Sequence, residues 1–141
     1  MPRRLLLLLV LTPLPSCTSS QPFPLTDLGG VTRIEVRNPA GADSSHVIRD
    51  PARISNVVAT LRATPSGWER SRFTLPAGDV SAVFYRDTMV VGVVWLGQSY
   101  MMARGSDRAL IRSSRPDELA RLAAALELPV KVIRVPSRGT T

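Results

Sequence analysis

Val80-Ser-Ala-Val-Phe-Tyr-Arg86, then Asp87-Thr88, then Met89-Val-Val-Gly-Val-Val-Trp-Leu96 is the stretch that decides the fold. Two runs rich in β-branched and aromatic residues flank a pair with turn chemistry, the pattern of a β-hairpin. With Asp87-Thr88 as the loop, Phe84 faces Val91, Ala82 faces Val93 and Val80 faces Trp95. That face is wholly apolar and is expected to meet helices, with Trp95 in the core. The other face pairs Tyr85 with Val90, Val83 with Gly92 and Ser81 with Val94. The second run is therefore apolar on both faces, whereas an antiparallel strand covered on one side alternates. An uncovered apolar face marks an interaction site, which makes Tyr85, Val90, Val94 and the neighbouring Met101 candidate partner-binding residues. Trp68 is a fifth, in a loop after Pro65-Ser-Gly67 and beside Glu69, Arg70 and Arg72. It reads either as an exposed aromatic anchor for a partner or glycan or as a lid on the end of the core.

More strands adjoin the hairpin on both sides. Gly97-Gln-Ser99 turns the chain into Tyr100 to Arg104, and Gly105-Ser-Asp107 into Arg108 to Arg112. Upstream, Val31 to Arg37 alternates with period two, Asn38 to Asp43 supplies turn residues, and Ser45 to Arg49 is a short partner strand. Asp50-Pro51 starts a helix, because Asp caps free amides and Pro at the first helical position has no amide to lose. Ile54, Val57, Val58 and Leu61 make its single apolar stripe. Phe73 and Leu75 suggest a short extended piece. Ser114, with Asp117 three residues on, is expected to cap a second helix with the stripe Leu119, Leu122, Ala123 and Leu126. Pro129 stops it, and Val130 to Val135 is either an edge strand or a surface segment. The order β-β-α-β-β-β-β-α predicts an α+β domain, an antiparallel sheet of about five to six strands with two helices packed on one face. Its strand–helix–four-strand–helix core resembles the TATA-binding-protein-like fold in topology, a likeness of order that implies no function.

The start of the chain bears on address. Met1-Pro-Arg-Arg4 is cationic, Leu5 to Leu11 is uninterrupted and apolar, and Leu14-Pro-Ser-Cys17 ends on the only cysteine. This resembles a bacterial lipoprotein signal peptide with its lipobox. A membrane span needs about 20 apolar residues, and Pro13 and Pro15 interrupt this run well short of that. The resemblance implies cleavage before Cys17 and lipidation of its sulfur with fatty acyl chains such as palmitate. The protein would then be anchored on the extracytoplasmic side of the cell envelope. Thr18, where an Asp tends to retain such proteins in the inner membrane, favours the outer one if the host has two. The expected organisation is a signal peptide over 1–16, a tether over 17–30, one domain over 31–135 and a tail over 136–141. Phe23 and Leu25 are apolar enough to dock part of the tether on the domain.

Composition excludes more than it assigns. The chain carries +7; without Arg3 and Arg4, 16 basic residues face 11 acidic ones, which leaves +5. The arginines are dispersed and form no stripe, so nucleic acid is not an expected partner. His46 is the only histidine, flanked by Ser44, Ser45 and Asp50. Neighbours on one strand point to alternate faces and do not build a triad. Metal binding wants several His, Cys or carboxylate ligands in one place, and neither a metal nor a cofactor is expected. Asp117-Glu118 fits the first turn of a helix, where it complements the dipole. The expectation is a non-enzymatic lipoprotein whose domain binds a protein or envelope component. The alternative is a small-ligand or lipid-binding module lined by Trp95, Met89 and Met102.

Overall fold

The computed structural model describes residues 21–25, 27–38, 45–64, 66–70, 80–105 and 108–129. Along them run β1 (Arg33–Arg37), β2 (His46–Ile48), α1 (Pro51–Arg62), β3 (Glu69–Arg70), β4 (Val80–Arg86), β5 (Met89–Leu96), β6 (Tyr100–Arg104), β7 (Ala109–Ser113) and α2 (Pro116–Ala125). The strands form one sheet in the order β2-β1-β4-β5-β6-β7-β3, with every neighbouring pair antiparallel. The architecture is α+β, as the order of elements predicts, but with seven strands rather than five or six. The added one is β3, whose two residues pair with Ile111 and Leu110 and close the edge beyond β7. The expected signal peptide, Cys17, Phe73, Leu75, Val130 to Val135 and the expected tail lie outside the described residues. Among the described residues no helix is long and apolar enough to cross a membrane.

Local chemistry sets the helix ends. Asp50 Oδ1 accepts from the Arg53 amide at 2.8 Å, with Pro51 at the first helical position of α1; such a cap contributes about 1 kcal/mol. At α2 the cap falls one residue later than expected. Pro116 is the first helical residue, so the extended residue before it, Arg115, is the N-cap rather than Ser114. Glu118, not Asp117, reaches back to the Arg115 amide at 3.1 Å. The same carboxylate takes both terminal nitrogens of Arg112 on β7, at 3.1 and 3.0 Å. That two-pronged pair is largely buried and pins α2 to the sheet. It also holds the Glu118 carboxyl below its usual range, the Arg112 hydrogen bond outweighing desolvation.

One face of the sheet and both helices share a single core. Ile34, Val36, Ala82, Phe84, Val94, Leu96, Met101, Ala103 and Leu110 meet the stripes of α1 and α2. Each fully buried large side chain contributes about 1.5–3 kcal/mol. Part of the expected tether belongs to this core. Leu25 and Leu28 are 2% and 3% exposed, and the Phe23 ring lies 5.4 Å from that of Trp68. The Gln21 amide donates to the Trp68 carbonyl at 2.9 Å. Residues 21–25 and 27–28 thus form a strap seated on the domain.

Candidate functional site

The site begins with one extra residue. Arg86 pairs with Met89 and Tyr85 with Val90, as a two-residue loop requires, and Asp87 takes the positive φ of 55° that the tight turn demands. Beyond them the register shifts: Phe84 pairs with Gly92, Val83 with Val93, Ala82 with Val94, Ser81 with Trp95 and Val80 with Leu96. This β-bulge inserts Val91 into β5, and a one-residue offset sends each later side chain to the opposite face. Packing explains the choice. Opposite Phe84 the strand passes under Leu25, and a Cβ on Gly92 would stand 2.6 Å from Leu25 Cδ2. A larger residue there would force the Leu25 side chain to move.

The bulge corrects the expected site. Val94 is 1% exposed and faces the helices, whereas Trp95, expected in the core, lies half-buried on the reverse face. Met101 pairs with Leu96 on the helix side and is fully buried. Trp68 is also fully buried, its Nε1 donating to the Thr64 carbonyl at 2.9 Å, so it is the lid and not the anchor. Of the five candidate residues only Val90, 51% exposed, and half-buried Tyr85 reach the outer surface, paired across the hairpin. The structure does not bring the five together.

The reverse face has a charged end and an apolar end. Arg33 lies over the Tyr85 ring at 4.0 Å, and Tyr85 OH donates to Glu35 at 3.2 Å. Arg37 donates to the same carboxylate oxygen at 3.0 Å, and Arg33 Nε stands 3.4 Å from the other. The Arg37 hydrogen bond, then Tyr85 and Arg33, hold the Glu35 carboxyl below its usual range against a desolvation cost. Across β5 to β7 the face becomes apolar, with Trp95 paired to Met102 and Met102 to Ile111.

Between these ends and the strap the sheet is notched. The β5–β6 ladder begins at Val93 and Arg104, and β6 turns back there to β7. Residues 89–92 of β5 therefore run on past β6, and among the described residues their outer edge has no strand partner. The notch encloses about 590 Å³, with Pro24, Leu25 and Asp27 of the strap as one wall and Arg104 and Gly105 as another. The floor is Val91, Gly92, Val93 and Trp95, and Met89 and Val90 stand at the lip. Arg86 staples hairpin to strap, donating to Asp27 Oδ1 at 2.9 Å and to the Gly29 carbonyl at 2.7 Å. Arg104 is exposed and, among the described residues, pairs with no carboxylate. The large apolar residues exposed among the described ones are Val47, Met89 and Val90, two of them at this lip.

Among the described residues, reacting groups do not converge there. His46 sits across the sheet on edge strand β2, opposite Val36. Asp50 is used as a helix cap, and Ser45 Oγ accepts from the Asn38 amide at 3.2 Å. Among the described residues no group of three or more His, Cys, Asp or Glu is placed to hold a metal. Reading the sequence allowed for docking of the tether through Phe23 and Leu25 but missed that it walls a notch, and missed Arg104. One signal was available: a glycine inside an apolar strand points to a bulge or a close backbone approach, and Gly92 marks both. The chain matches no known protein family, no curated protein and no solved structure.

Proposed function

We propose that this is a lipid-anchored envelope protein whose small, non-enzymatic α+β domain binds a protein or other envelope component at the notch. The observation that carries the reading is the pair Met89 and Val90, 57% and 51% exposed, at the lip of a cleft; among the described residues the one other exposed large apolar side chain is Val47, away from the cleft. The anchor reading rests on the lipobox-like Leu14-Pro-Ser-Cys17. Three residues separate Cys17 from Gln21, whose amide is bonded to Trp68. A lipid on Cys17 would hold the domain within about 14 Å of its anchoring point. Thr18 favours the outer membrane where there are two.

Two experiments test this. Cells given radioactive fatty acid should label the wild-type protein. The Cys17→Ser variant should take no label and accumulate as an uncleaved precursor. An unlabelled wild type overturns the anchor. A photo-crosslinker placed at Thr88, beside the lip, should give discrete adducts in the native envelope, and Val90→Lys should abolish them while leaving the fold intact. Adducts indifferent to that substitution overturn the site. The alternative of a small-ligand module is favoured by one observation, the notch volume of about 590 Å³, which lies in the range of ligand pockets. Adducts to lipid alone would select it.

A further inference from the structure

We infer that the notch takes an extended peptide segment that adds a short strand to the outer edge of β5 at residues 89–92 and carries a carboxylate beside Arg104. This rests on the reading of the domain as a binding module and names its partner class. An unpaired stretch of strand presents amide donors and carbonyl acceptors that pair readily with another extended chain. Here the stretch lies inside the sheet order, continuing the line of β6 beyond Arg104. An incoming segment would lie between the strap wall at Pro24 and the lip at Val90, its alternate side chains against Val91, Val93 and Trp95. The charge of the rim selects the occupant. Asp27 is already engaged by Arg86, which leaves Arg104 as the uncompensated charge on the notch among the described residues. A segment with Asp or Glu at that place pairs with Arg104 and compensates its charge.

The test uses the full chain, labelled with ¹⁵N in a neutral detergent, and synthetic peptides of about six residues. One peptide alternates valine and threonine and ends in aspartate, a second is its N-methylated twin, and a third carries lysine for aspartate. The aspartate peptide should shift the amide signals of residues 89–92 and slow their hydrogen exchange. The N-methylated twin should leave them unmoved, and the lysine peptide should bind at least about tenfold more weakly. Arg104→Glu should reverse the order of the aspartate and lysine peptides. Equal binding of the N-methylated twin, shifts confined to other strands, no binding of the aspartate peptide, or concentration-dependent pairing of the chain with itself through these amides would each overturn the inference. Such a failure with Val90→Lys still abolishing the envelope adducts removes the strand pairing alone; absence of any adduct removes the binding module as well.

Discussion

The two ends of β5 are built from similar residues and have opposite fates. Val94 and Leu96, at one end, are 1% and 6% exposed, paired to β4 on one side and to β6 on the other. Met89 and Val90, at the other, are more than half exposed and paired to β4 only. Hydropathy does not separate them. What differs is whether a second strand and a helix layer arrive above that part of the chain, and the bulge at Val91 is the boundary. An apolar strand thus serves as core over one half of its length and as a presented edge over the other.

The largest expected effect breaks the comparison at its buried end. Val94→Lys places an ammonium among Ala82, Ala103 and the helices, where burial of an unpaired charge costs several kcal/mol. Loss of the cooperative transition in urea is expected, with a destabilisation of more than about 4 kcal/mol. Next comes the pin that holds α2 over that end, since Arg112 pairs with Met101 and Met101 with Leu96. Glu118→Gln should cost about 2–3 kcal/mol by removing a charged, two-pronged hydrogen bond. Because the folded state lowers the Glu118 pKa, its stabilisation is complete above the ordinary carboxylate range and is lost as pH falls through the lowered value. Urea midpoints measured from neutral pH downward should therefore decline less steeply in Glu118→Gln than in the wild type.

A smaller effect sharpens the boundary. Gly92→Ala drives a methyl into Leu25 and should cost about 1–3 kcal/mol. Its particular signature is faster proteolysis within the strap while the rest of the domain stays resistant. The smallest is at the exposed end: Val90→Lys should change stability by no more than about 0.5 kcal/mol. If Val90→Lys unfolds the domain as Val94→Lys does, the two ends of β5 are alike and the notch is core.

Elements whose signals are local were legible. Asp50, Pro51 and the stripe Ile54, Val57, Val58 and Leu61 define α1 because a helix closes its hydrogen bonds within its own few residues. The hairpin loop at Asp87 and Thr88 follows from turn chemistry alone. Where a signal was shared between neighbours it misled, as at α2, where Ser114 resembles a cap but the fixed φ of Pro116 moves the cap to Arg115. The two-residue β3 carries no periodicity and exists only because Ile111 and Leu110 are there to pair with it.

The sequence by itself determined the α+β class, the chain order of the elements and the helix stripes, since each depends on residues a few positions apart. Only the tertiary structure decided which face of β5 is inside. Period two identifies two faces but not which is buried, and a single inserted residue exchanges them. That residue is placed by contacts distant in the chain, Leu25 over Gly92 and Phe84 beside it. The same long-range packing buried Trp68 beneath Phe23 and left Arg104 at the end of β6 facing a notch. Burial and pairing are properties of what arrives from elsewhere in the fold, and a residue's own chemistry does not carry that information.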